Sequence, residues 1–83
     1  MVNPQQESIR ISDTPLAAFI VTLGFAVDHI DANGNRAYFV FLPTDTAGIK
    51  DAIRLWDSGK AECNVTVFHD NYKKLARRAR EGY

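Results

Sequence analysis

The run Ala37–Leu42, AYFVFL, is apolar or aromatic at every position and constrains the fold more than any other segment of the chain. Successive side chains of a strand point to opposite faces of its sheet, so this run has two apolar faces. One face carries Ala37, Phe39 and Phe41, and the other carries Tyr38, Val40 and Leu42. A strand with one wet face would alternate apolar and polar residues. The run is therefore predicted to be a central strand, with helices or a second copy of the chain covering each face.

The dipeptide Asn33-Gly34, which precedes this run, predicts a tight β-hairpin. A type I′ turn needs positive φ at both central residues, and Asn-Gly adopts that conformation readily. The turn would join two antiparallel strands, Phe25–Asp31 and Asn35–Leu42. In that register, residues near Ile30 and Arg36 are expected to be backbone neighbours.

A first helix is predicted from its ends as well as from its periodicity. Ser12, Asp13 and Thr14 are all good N-cap residues. Apolar residues then recur at helical spacing through Leu16–Leu23, and Gly24 supplies the left-handed residue that ends many helices. These features account for the segment as structure and indicate no chemistry.

Two further helices follow the hairpin. The second is predicted to begin at Thr44, Asp45 or Thr46 and to end at Gly59, and Thr66 is predicted to cap the third. The inward positions are predicted to be Ile49, Ala52, Ile53 and Trp56 in the second helix and Phe68, Tyr72, Leu75, Ala76 and Ala79 in the third.

Short strands at Ser8–Ile11 and Ala61–Val65 complete the element order β-α-β-β-α-β-α. An 83-residue chain has room for one domain. The sequence therefore predicts a small α+β domain over residues 8–83, with an antiparallel hairpin at Asn33-Gly34, helices packed on the sheet and a flexible tail over residues 1–7.

Two patterns in the chain resemble a known family. The first is S-D-x-x-L-A-A…G-F, from Ser12 to Phe25, and the second is the aromatic Y-F-V-F strand followed by a short helix, the Ser58–Ala61 stop and a final helix that contains tyrosine. They are similar to a family of short prokaryotic proteins, common on phage and plasmid DNA, that is described only as a domain of unknown function. The resemblance spans about residues 8–80 and implies an accessory protein encoded by a mobile element. It implies no active-site residue.

Nucleophilic catalysis needs a nucleophile beside an oriented base. Cys63 with His69 and Asp70, or with His29, is the candidate combination, but its spacing matches no nucleophile motif, and a single Cys in a small domain is more often a core residue. The sequence therefore predicts a protein that is not an enzyme.

Metal and cofactor motifs are also missing from the sequence. In Asp28-His29-x-Asp31, the side chains of Asp28 and His29 should point to opposite sides of a strand. Asp31–Asn35 resembles the start of a calcium loop but lacks the closing Glu. No glycine-rich phosphate loop is present, so neither a metal nor a cofactor is predicted.

The charge distribution is uneven. Residues 1–70 carry five Lys/Arg against nine Asp/Glu, whereas residues 71–83 carry five against one. The candidate binding residues for a partner or a nucleic acid are Lys73, Lys74, Arg77, Arg78 and Arg80. Such a helix face binds phosphates through charge, docks on an acidic protein, or is a solvated face stabilised by the helix dipole.

The function that these observations favour is protein–protein association, and the family resemblance implies an accessory protein that modulates or inhibits a host system. A homodimer is one form of it, with Tyr38, Val40 and Leu42 as the association surface. Nucleic-acid binding by the basic helix is the alternative. The longest apolar runs are six residues, far short of a bilayer span, and a single Cys63 suits a reducing compartment, so a cytoplasmic protein with no membrane partner is expected.

Overall fold

The computed structural model describes residues 8–81, and its three strands and three helices confirm the α+β class. In chain order these are β1 (Ile9–Ile11), α1 (Thr14–Thr22), β2 (Val27–Asn33), β3 (Arg36–Phe41), α2 (Thr46–Asp57) and α3 (Val65–Glu81). A short 3₁₀ turn, Pro43–Asp45, joins β3 to α2. The tail predicted for residues 1–7 lies outside the described residues.

The sheet is antiparallel with strand order β1-β3-β2, so β3 is central as its sequence predicts. Phe39 lies opposite Ile11 on one side and Ile30 on the other, and Phe41 lies opposite Ile9 and Val27. These pairs make one face of the sheet continuous and apolar.

All three helices pack on that face. Phe39 and Phe41 are buried with Phe19 and Ile20 of α1, and the same cluster includes Ile49 and Ala52 of α2 and Leu75 of α3. The opposite face, which carries Tyr38 and Val40, is called the open face below. None of the helices within residues 8–81 combines the length and the apolar character that a bilayer span requires.

The limits predicted for α1 are confirmed. The Asp13 carboxylate accepts a hydrogen bond from the Leu16 N–H at 3.1 Å, which satisfies a free donor of the first turn. After the helix, Gly24 has φ of +111°, a conformation that other residues rarely adopt. Local chemistry is sufficient to place this helix.

The hairpin turn lies one residue later than predicted. Asn33 pairs with Arg36, so Gly34 and Asn35 form the two-residue loop, and Gly34 has φ of +65°. The predicted turn would have set Asp28 opposite Phe39 on the helix-covered face. The observed register sets Ile30 there instead, because burying an unpaired carboxylate in the core is unfavourable.

A β-bulge at Asp28 also keeps this carboxylate out of the core. Val27 is opposite Phe41, whereas His29 is opposite Val40, so Asp28 has no direct partner on β3. The extra residue shifts the side-chain alternation by one position. As a result Val27 packs against the core and Asp28 stays in solvent.

The strand predicted at Ala61–Val65 does not form. Residues 60–64 have neither strand nor helix structure, and α3 begins at Val65 rather than after a cap at Thr66. The Asn64 side chain caps this helix by accepting the Val67 N–H at 3.0 Å. Ala61 packs against the core, but Cys63 is exposed and Val65 is 77% exposed, so the alternate apolar positions of this segment do not share a buried face.

Trp56 connects the helices. Its ring centroid lies 5.5 Å from that of Phe19 on α1 and 6.4 Å from that of Phe68 on α3. The inward positions predicted for α2 are confirmed, since Ile49 and Ala52 are buried and Ile53 and Trp56 pack against the core.

On α3, the predicted inward position of Tyr72 is wrong, because its side chain is 38% exposed. Asn71 faces α1 instead and donates a hydrogen bond to the Thr22 hydroxyl at 3.1 Å. That hydroxyl donates in turn to the Ala18 carbonyl at 2.7 Å. The polar partner on α1 explains why the amide rather than the ring turns inward.

Candidate functional site

The cations of α3 lie on the solvent side of the helix, whereas Leu75 is buried. All five predicted residues, called the basic face below, are exposed: Lys73, Lys74, Arg77, Arg78 and Arg80. At 100° and 1.5 Å per residue they span an arc of about 160° and about 10 Å of helix.

Among the described residues, no ion pair neutralises the charge of the basic face. Within residues 8–81 the salt bridges join Arg10 to Asp31 and Arg54 to Asp51, and the His29 ring contacts the Asp28 carboxylate. On α3 itself Asp70 lines a shallow hollow with Lys73, Lys74 and Arg77. Within residues 8–81 the basic face therefore presents cations without a salt-bridge partner, with Asp70 beside three of them.

A groove runs beside the basic face, between α3 and the segment that links α1 to β2. Its volume is about 300 Å³. The residues that line this α3 groove are Val21, Ala26, Val27, Asn71, Lys74, Leu75 and Arg78. Apolar side chains and one amide thus form the groove, and two cations of the basic face stand at it.

Sequence reasoning predicted the cations but missed the α3 groove. Its walls come from residues more than 40 positions apart, such as Val21 and Leu75, and no local pattern brings these together. The one usable signal is Gly24, whose positive φ reverses the chain after α1 and returns Ala26 and Val27 towards α3.

The association surface predicted at Tyr38, Val40 and Leu42 is on the open face and offers little apolar area. Val40 is only 4% exposed and lies opposite Arg10 on one neighbouring strand and His29 on the other. The Arg10 guanidinium lies 4.7 Å from the centre of the Tyr38 ring. Leu42, at 42% exposed, is the accessible apolar side chain of the three.

The family of the chain follows from a sequence comparison. The profile of a domain of unknown function, DUF5659, matches residues 6–81. The chain belongs to the DUF5659 family. Comparison with curated proteins and with solved structures gave no match. The DUF5659 match confirms the resemblance to an uncharacterised domain family and includes both the α3 groove and the basic face.

The DUF5659 chain brings together few of the residues considered for catalysis. Cys63 is exposed, so its predicted place in the core is wrong, and His69 and Asp70 are exposed on α3. Asp28 and His29, predicted to point apart, meet with Oδ2 and Nδ1 2.8 Å apart because the bulge interrupts the alternation. Within residues 8–81 no group of three His, Cys, Asp or Glu residues is arranged to hold a metal ion.

Proposed function

We propose that this DUF5659 protein is a non-enzymatic binding module whose α3 groove takes an acidic segment of a partner protein. The observation that carries the proposal is the composition of the groove, which is mainly apolar with Lys74 and Arg78 beside it. A peptide with one apolar side chain and neighbouring carboxylates complements both features.

The two features contribute differently to binding. Removing a Leu-sized side chain from water contributes about 1.5–3 kcal/mol, which makes the apolar part of the groove the source of affinity. Exposed ion pairs contribute about 0.2–1 kcal/mol each. Lys74 and Arg78 would therefore act mainly on the association rate and on the choice of an acidic partner.

Nucleic-acid binding is the second candidate, and the five exposed cations of the basic face support it. One observation favours a protein instead. Among the described residues, the lining of the α3 groove contains no aromatic side chain on which a base would stack.

The proposal also includes a biological role and a cellular location for the protein. An accessory role on a mobile element follows from the family resemblance, with modulation of a host protein as the activity. A cytoplasmic location agrees with the free, exposed thiol of Cys63, which a reducing compartment would preserve.

Selection from a displayed library of random peptides tests the proposal directly. We expect the selected peptides to share a Leu, Ile or Phe residue flanked by Asp or Glu. Their affinity should fall by at least about tenfold in the double variant Lys74→Glu, Arg78→Glu, because two attractions become repulsions. The matched control, Lys50→Glu with Lys60→Glu, changes the net charge equally at two exposed positions on and just after α2.

Equal losses in both double variants would show that net charge, rather than the groove, governs binding and would contradict the proposal. Fluorescence anisotropy with a labelled DNA duplex and a labelled RNA strand tests the second candidate. If either binds the wild-type protein at physiological salt more tightly than the selected peptides do, nucleic acid replaces protein as the partner.

A further inference from the structure

A second cavity, of about 360 Å³, lies where the β2–β3 hairpin meets the start of α1 and the end of α3. Two arginines from distant parts of the chain line it, Arg36 at the start of β3 and Arg80 in the last turns of α3. The hydroxyl residues Ser12 and Thr14 line it as well. It is called the arginine cavity below.

The described residues that line the arginine cavity carry charge of one sign. None of them is Asp or Glu. Neither Arg36 nor Arg80 takes part in a salt bridge within residues 8–81. Within the described part of the chain, two guanidinium groups and two hydroxyls therefore border one cavity, and no Asp or Glu side chain lines it.

We infer that the arginine cavity binds the phosphate group of a small organic molecule. The guanidinium fork matches the oxygen atoms of phosphate and carboxylate alike. Two guanidinium groups balance the double negative charge of a phosphate, whereas a carboxylate carries one negative charge. The cavity is larger than a phosphate ion and includes the apolar residues Ala37 and Ala79, which gives room for an organic group.

This site does not depend on the proposed function. The described residues that line the arginine cavity differ from those that line the α3 groove. Its ligand is a small molecule rather than a protein segment, so each site can be tested without the other.

NMR titration of the ¹⁵N-labelled protein at constant ionic strength tests the inference, with inorganic phosphate, phenyl phosphate and acetate as probes. We expect saturable shifts at the amides of residues 12–14 and 34–37, tightest binding for phenyl phosphate and weakest for acetate. Arg36→Gln and Arg80→Gln should each lower the affinity for phenyl phosphate by about tenfold, since each removes charge-assisted hydrogen bonds. Arg54→Gln, which removes an exposed arginine of α2, is the matched control and should leave the affinity unchanged.

Arg36→Lys distinguishes loss of the guanidinium group from loss of the fold, because lysine keeps the positive charge at the hairpin. This variant should bind phenyl phosphate more weakly, while its NMR spectrum outside the cavity stays unchanged. Lys74→Gln should retain phosphate binding, which distinguishes this site from the α3 groove. The inference is overturned if Arg54→Gln weakens binding as much as Arg36→Gln, if acetate binds as tightly as phosphate, or if the shifts do not saturate.

Discussion

Arg10 and Asp31 form a salt bridge of 2.7 Å that crosses the central strand of the sheet. Arg10 belongs to β1 and Asp31 to β2, and β3 runs between them. The Arg10 guanidinium lies over the ring of Tyr38, which belongs to β3. A polar pair and an aromatic ring thus close much of the open face, which no helix of the described chain covers.

Arg10→Ala is expected to lower the free energy of unfolding by about 1 kcal/mol. The change removes a cation–π contact, worth about 0.5–1 kcal/mol at an exposed site, and a half-exposed ion pair that solvent screens. Urea denaturation followed by circular dichroism measures the loss. Arg54→Ala is the control, since its pair with Asp51 lies within one exposed helix and should contribute less. Equal losses in the two variants would contradict a specific role for Arg10.

Gly48→Ala is expected to destabilise the protein although alanine is the better helix former. An added Cβ at Gly48 would lie 2.5 Å from Cζ of Phe25, whose ring packs against the core. Displacing that ring should lower the free energy of unfolding by about 1–3 kcal/mol, which outweighs the gain in helix propensity of about 1 kcal/mol. Chemical denaturation measures the balance.

The background variant Phe25→Ala identifies the cause. Without the ring, Gly48→Ala should become neutral or stabilising by up to about 1 kcal/mol. A stabilising effect of Gly48→Ala in the wild-type background would show that Phe25 moves aside at little cost.

Asn64→Ala is expected to lower the free energy of unfolding by about 1 kcal/mol, because the Val67 N–H loses its cap. Thermal unfolding and the exchange rate of the Val67 amide proton measure the effect. Asn64→Asp keeps an acceptor oxygen at the same place and adds a charge that suits a helix N-terminus, so it should retain the stability. If the Ala and Asp variants unfold at the same temperature, the Asn64 side chain is not the cap that starts α3.

The protein is expected to be a monomer at high micromolar concentration. Pairing two open faces would desolvate Arg10, Asp31 and His29, and the accessible apolar side chain there is Leu42. Light scattering over a range of concentrations measures the mass. A dimer that Leu42→Asp dissociates would instead support the homodimer that the two-faced strand predicts.

The parts of the fold that could be predicted are those with a local cause. Asp13 and Gly24 determine the ends of α1 through hydrogen bonding and backbone conformation within a few residues. The central place of β3 follows from its own apolar run. The register of the hairpin does not, because it depends on whether Asp28 or Ile30 faces helices from elsewhere in the chain.

The candidate site also combines a feature with a local cause and a feature that depends on packing between distant segments. Exposure of Lys74 and Arg78 follows from the amphipathic pattern of α3. The apolar groove beside them depends on how α3 packs against Val21 and Val27, and that packing includes the hydrogen bond from Asn71 to Thr22. The strand predicted near Asn64 is the converse case. Residues 62–65 are exposed, and the Asn64 side chain caps α3 instead.

The position of Trp56 between Phe19 and Phe68 gives the protein an optical reporter of its own. The sequence contains one tryptophan, so its emission arises from a single place where α1, α2 and α3 meet. Separation of α3 from α1 would expose the indole to water and shift its fluorescence to longer wavelength, even while the sheet stays intact. Undocking of the helix that carries the basic face could therefore be timed in the unlabelled wild-type protein.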